Sequence, residues 1–190
     1  MNTLKKISFP FLSLFLLYRS IELTRSLTLS KPNEYSNIEA LLISFLLTLF
    51  ITGIFAFIGF AYSSSKILPD RYYEIKNPRV LNYTSKVLGI KYFRVLVLFF
   101  FWGKKNNQKK YFNGTKKGLH NFIYQTKQSE FGHLGALLLI LVLTIYLLAH
   151  KYYFLTLIIT LINILGNLYP IILQRTHRIR IAKITKHNTI

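Results

Sequence analysis

Two long apolar blocks and a shorter one alternate with basic, polar stretches along the chain. Between Ile38 and Tyr62 the only charge is Glu39, at the start. As a helix rising about 1.5 Å per residue, this block measures about 37 Å and crosses a bilayer with some tilt. Ser36 and Asn37 stand where N-caps are expected, Glu39 sits in the first turn where the helix dipole favours an anion, and Ser63-Ser64-Ser65 ends the run. The second block, Phe131 to Leu173, is interrupted only by His150 and Lys151. It is too long for one crossing and predicts a helical hairpin. Its limbs, Phe131 to Ala149 and Tyr152 to Leu173, come to about 28 and 33 Å, with Tyr152 and Tyr153 suited to the interface at the turn.

The amino-terminal run, Ile7 to Tyr18, has the length of a signal-peptide core behind Lys5 and Lys6, but no small-x-small cleavage site follows it. An uncleaved first crossing or half-crossing is expected over residues 1–30, with Arg19 and Glu22 neutralising each other three residues apart. Residues 63–130 are basic and aromatic-rich. Within them Val95 to Trp102 is apolar but too short to span, with Lys91 and Arg94 before it and Lys104 and Lys105 after. That pattern fits an interfacial or re-entrant segment. The expected fold is an all-α integral membrane protein forming a single membrane domain. It has three to four transmembrane helices, residues 38–62 as one span, 63–130 as a basic interfacial segment, 131–173 as a carboxyl-terminal helical hairpin and 174–190 as a basic tail.

Composition sharpens this picture. The 190 residues include 25 Lys and Arg against 6 Asp and Glu, for a net charge of +19, yet 52% are apolar and mean hydropathy is +0.33. Charge and apolar residues are therefore segregated, which excludes a disordered basic tail and argues against a soluble nucleic-acid binder. There is no Cys, which removes disulfides, Cys-based metal sites and acyl transfer through a Cys thioester. Five Lys and Arg precede the first clear span, fourteen lie between Lys66 and Lys127, one is at the hairpin turn and five lie between Arg175 and Lys186. By the positive-inside rule, the central segment and the carboxyl terminus face the cytoplasm of a multi-pass cell-membrane protein.

The acids are the most informative residues for chemistry, because Glu130 is the one carboxylate after Glu74. Thr126, Glu130 and His133 fall within an arc of about 60° on a helix, and a carboxylate beside an imidazole is an arrangement that orients a general base. The same Glu130 also fits a dipole partner and salt-bridge anchor for the basic tail. The hairpin returns the Gln174 to Arg180 stretch to the membrane face where Glu130 begins. On a continuous helix Asn163, Asn167, Gln174 and Arg178 share an arc of about 60°, a polar stripe that either glues helices or lines a pocket. Pro170 cannot donate to the Gly166 carbonyl, so a kink and an unused acceptor are expected there. Arg175, Arg178 and Arg180 are positive-inside residues whose density also suits an anionic lipid, a phosphorylated acyl carrier or Glu130 itself. His120, His150, His177 and His187 have no metal-ligand spacing with carboxylates, and no metal site is expected.

Two motifs resemble one known family. They are Gln125-Thr126-Lys127-Gln128-Ser129-Glu130-Phe131-Gly132-His133 and the run from Asn167 to Ile181, which contains Gln174-Arg175-Thr176-His177-Arg178-Ile179-Arg180. Together they resemble the glycosyl-4,4'-diaponeurosporenoate acyltransferases of staphyloxanthin-type carotenoid synthesis. The family pattern is matched at Thr126, Glu130, His133, Asn167, Gln174, Arg175, Arg178 and Arg180, and Leu68-Pro69-Asp70-Arg71-Tyr72-Tyr73 resembles a further family stretch. Gln125, Gln128, Ser129 and Thr176-His177 depart from it.

The resemblance implies transfer of a fatty acyl group to a sugar hydroxyl of a glycosylated carotenoid or related glycolipid, with both substrates arriving in the bilayer. In that reading His133 removes the acceptor proton, Glu130 orients the imidazole and Asn167 or Gln174 donates to the oxyanion. Arg175, Arg178 and Arg180 bind the donor, which is an acyl-CoA, an acyl carrier protein or a phospholipid. Thr126 and Asn163 complete the expected substrate site, and no cofactor is implied. The rival readings are a nonenzymatic accessory subunit, whose polar stripe packs on a partner helix, and another hairpin-type lipid-modifying enzyme such as a methyltransferase or reductase. The latter would need a Gly-rich nucleotide turn that the sequence lacks.

Overall fold

The computed structural model describes residues 3–32, 34–102 and 115–187, and all the regular structure among them is helical. In chain order the helices are α1 (Thr3–Leu29), α2 (Asn37–Ala61), α3 (Asp70–Tyr73), α4 (Pro78–Val87), α5 (Ile90–Val97), α6 (Lys116–Ala149), α7 (Tyr153–Asn163) and α8 (Tyr169–His187). A π turn, Leu98–Trp102, extends α5, and another, Ile164–Leu168, joins α7 to α8. Four helical stretches among the described residues are long and apolar enough to cross a membrane: Leu4–Leu29, Asn37–Ala61, Gly118–Ala149 and Tyr153–Thr185. Their outer faces carry large exposed apolar side chains, among them Phe45, Leu49, Val142, Ile145 and Leu157. Water would penalise such surfaces and lipid does not. The chain is an all-α, multi-pass membrane protein.

The expected start of α2 is present in full. Ser36 accepts from the Glu39 backbone N–H at 3.3 Å, and the Glu39 carboxylate accepts from the Ser36 backbone N–H at 2.9 Å, a reciprocal capping box. Arg19 and Glu22 pair at 2.5 Å on α1, as their spacing suggests. The first hairpin limb differs from expectation: its helix begins at Lys116, not Phe131. Residues 116–130, expected as part of an interfacial stretch, form the polar first half of α6. Their helical signal is amphipathic, with Thr126 and Glu130 on the buried side, and an apolar-run criterion does not register it. The short run at Val95 to Trp102 closes α5 as a π turn, with Val95, Leu96, Phe99 and Phe100 exposed. Lys104 and Lys105, expected to flank it, lie outside the described residues.

The chain divides into two units, and α6 contributes to both. The first comprises residues 1–63 and 132–168. Its core joins Leu47 and Ile51 of α2, Ala136, Ile140 and Leu147 of α6, and Leu155 and Ile159 of α7. Small residues let these helices approach closely: a methyl group on Gly135 would lie 2.3 Å from the Phe55 ring. The hairpin turn is pinned by the Tyr152 hydroxyl, which lies 2.6 Å from the Leu27 carbonyl and 2.5 Å from that of Ser30. The second unit comprises residues 64–131 and 169–190. There α4 and α5 pack on α8, with Phe93 and Tyr169 edge to face at 5.4 Å.

Candidate active site

The first unit holds a buried polar network. Asn167, fully buried in the π turn, donates through Nδ2 to Asn163 Oδ1 at 2.9 Å and to Thr52 Oγ1 at 3.1 Å. Asn163 in turn donates to the Leu137 carbonyl at 3.2 Å. Its neighbour's two N–H donors are thereby both engaged, so Asn167 Oδ1, 3.0 Å from His133 Nδ1, is an acceptor. Thr52 Oγ1 approaches the same oxygen only at 3.4 Å. An acceptor oxygen facing Nδ1 calls for a proton on that nitrogen. A π turn ending at Leu168, two residues before Pro170, takes the place of the expected simple kink.

The second unit holds a buried ion cluster. Glu130 is fully buried; Arg175 Nε donates to its Oε1 at 2.7 Å and Arg178 Nη2 to its Oε2. The guanidinium groups also lie over aromatic rings, Arg175 over Tyr72 at 5.1 Å and Arg178 over Tyr73 at 5.6 Å. Burial and the Glu130 charge push the Tyr73 phenol up to about 12, so it remains neutral at physiological pH and is no candidate for a phenolate base. Beside this cluster Lys127 Nζ pairs with Asp70 Oδ1 at 2.6 Å and lies 5.2 Å from the Tyr73 ring centre. Gln174 donates to Ser129 Oγ at 3.2 Å.

The expected site residues thus fall into two groups. His133, Asn163 and Asn167 share one network, while Glu130, Gln174, Arg175 and Arg178 belong to the ion cluster and its surroundings. Glu130 and His133, expected as a carboxylate–imidazole pair, keep different company: two guanidinium groups for the first, an asparagine for the second. The expected stripe from Asn163 to Arg178 crosses a π turn at Ile164–Leu168, where the 100° periodicity it was drawn on does not hold. Thr126 is buried, with its hydroxyl donating to the Ile123 carbonyl at 2.7 Å, a bond to its own helix. Arg180 is exposed. Sequence reasoning missed Thr52, which shares its apolar span with two other hydroxyl residues, Ser44 and Thr48. It also gave Asp70, Tyr72 and Tyr73 no role beyond their resemblance to a family stretch.

Fold and site together define a class: a multi-pass helical membrane protein with buried polar clusters on the helices of its carboxyl-terminal half. Residues 69–187 match the family model of glycosyl-4,4'-diaponeurosporenoate acyltransferase, and the chain belongs to that family. Membership supports a general acyltransferase role in carotenoid biosynthesis. No curated protein and no solved structure matches the chain. Of the two clusters, the ion cluster lies wholly within the matched residues, whereas Thr52 of the His133 network lies before them.

Proposed function

We propose that the protein transfers a fatty acyl group to a sugar hydroxyl of a lipid-soluble glycosylated acceptor, a glycosylated carotenoid or related glycolipid, with His133 as general base. The observation that carries this reading is the 3.0 Å contact between His133 Nδ1 and Asn167 Oδ1. With Nδ1–H held by Asn167, Nε2 accepts the acceptor hydroxyl proton, and the hydroxyl oxygen attacks the acyl carbonyl of the donor. The tetrahedral intermediate then collapses, breaking the bond to the donor's leaving group, and the imidazolium returns its proton to that group. Asn167 takes the orienting part that the residue spacing suggested for Glu130. Glu130 acts as the anchor that holds Arg175 and Arg178.

The acceptor and the acyl chain both reside in the bilayer, which is consistent with an enzyme built from membrane helices. The distribution of Lys and Arg supports a cytoplasmic carboxyl terminus and central segment. The test is mass spectrometry of lipid extracts from hosts carrying wild type, a deletion, or His133→Ala at matched membrane abundance. Loss of an acylated glycolipid or carotenoid ester in both is expected. An unchanged lipid profile in His133→Ala, with substrates present, removes the general-base mechanism; the same result in the deletion favours an accessory-subunit role.

A further inference from the structure

The acyl donor has to be held somewhere, and the guanidinium groups best suited to an anion, Arg175 and Arg178, are engaged by Glu130. Within the second unit the segment after α2 and one face of α6 border a cleft of about 510 Å³. The α6 face is formed by His120, Ile123, Tyr124 and Lys127, recurring at i, i+3, i+4 and i+7, the spacing of residues along one side of a helix. Lys66 and Asp70 stand on the opposite wall. Ile123 and Tyr124 give the cleft an apolar body, Lys66, Asp70 and Lys127 give it charge, and His120 adds a polar ring.

The charge is not balanced. The Lys127 ammonium hydrogen-bonds Asp70 and holds its carboxyl below the usual carboxylate range, so Asp70 is ionised at neutral pH and matched by Lys127. Lys66 is exposed and makes no ion pair among the described residues, and His120 is exposed as well. Asp70 pairs through Oδ1 and its side chain stays 86% exposed, so the preference for an anion comes from two ammonium groups set against one carboxylate. Compact ammonium groups beside an aromatic ring suit a phosphate ester carried on an uncharged arm.

We propose that this cleft binds the phosphate ester of the acyl donor, with Lys66, Lys127 and His120 as its hydrogen-bond donors and Tyr124 and Ile123 against the uncharged arm. The ligand's identity as the acyl donor rests on the acyl-transfer reading above; the cleft's preference for a phosphate ester does not. A pantetheine-linked donor and a phospholipid share this group, and binding separates them.

The test uses the full chain in phosphatidylcholine nanodiscs and equilibrium dialysis of 4'-phosphopantetheine and of pantetheine, which differ only by the phosphate. Wild type is expected to bind the phosphate form at least about tenfold more tightly, and Lys66→Gln/His120→Gln is expected to remove that difference while Lys66→Arg keeps it. In a second arm, native mass spectrometry measures phosphatidylglycerol retained from mixed nanodiscs. Retention that depends on Lys66 and His120, without 4'-phosphopantetheine binding, assigns the phosphate to a lipid headgroup and sustains the proposal. If neither ligand distinguishes wild type from the double variant, the proposal is overturned. No arm requires turnover, so a protein that binds the phosphate form but shows no acyl transfer would fail the functional reading alone.

Discussion

Replacing Glu130 by Gln keeps the shape of the side chain and one acceptor oxygen but removes the negative charge between two guanidinium groups. The cost is uneven. Arg175 is 31% exposed at its side chain and can recover hydration, whereas Arg178 is 8% exposed and cannot. Stranding a buried charge by removing its partner costs about 3–5 kcal/mol, and Arg178 accounts for most of it. For a chain of this length about 1 kcal/mol moves Tm by about 2–4 °C, so Glu130→Gln is expected to melt on the order of 10 °C below wild type. Circular dichroism melts in one detergent, at one protein concentration, provide the measurement. Adding Arg178→Met removes the stranded charge and should restore part of the lost stability, since an apolar replacement of a whole buried ion group is often neutral. A Glu130→Gln melt within about 2 °C of wild type would refute the anchoring role. If that variant also lost turnover, the carboxylate would belong to the chemistry and the Glu130–His133 pairing suggested by the spacing would return.

Thr52→Val removes one acceptor of the Asn167 amide and is expected to lower kcat about tenfold with little change in KM, while Thr52→Ser restores most of it; equal losses in the two variants would show that the hydroxyl does not position Asn167. Gly135→Ala places a methyl group 2.3–2.9 Å from three atoms of the Phe55 ring and should cost about 1–3 kcal/mol, read as a lower Tm, with Phe55→Leu in the same chain recovering part of it. The Asp70 carboxyl, ordinarily near 3.8, is lowered in the folded state by its hydrogen bond to Lys127, so its contribution is present above about pH 4 and lost as the pH falls through the lowered value. The Tm difference between wild type and Asp70→Asn should therefore be present at pH 7 and vanish in strong acid; a constant difference across that range would show that the ion pair is not its source.

Local features were legible before any coordinates. The apolar runs marked α2 and the hairpin because lipid demands long uninterrupted stretches, and the Ser36–Glu39 cap and the Arg19–Glu22 pair follow from neighbours three residues apart on one helix. Pro170 also announced a break in the regular helix near Gly166, since a missing N–H is a property of the residue itself. Tertiary structure alone decided which side chains meet. The spacing puts Glu130 and His133 on one helix face, but Arg175 and Arg178, 45 and 48 positions away, and Asn167, 34 positions from His133, determine their partners. Thr52 has no local signal, because a hydroxyl in an apolar span reads the same whether it bonds its own backbone or an amide 115 positions away. The π turn at Ile164–Leu168 breaks the periodicity from which a helical stripe is drawn, and the spacing of the residues does not announce it. Helical period governs neighbours within a few residues; beyond that, packing chooses among pairings that the sequence leaves equal.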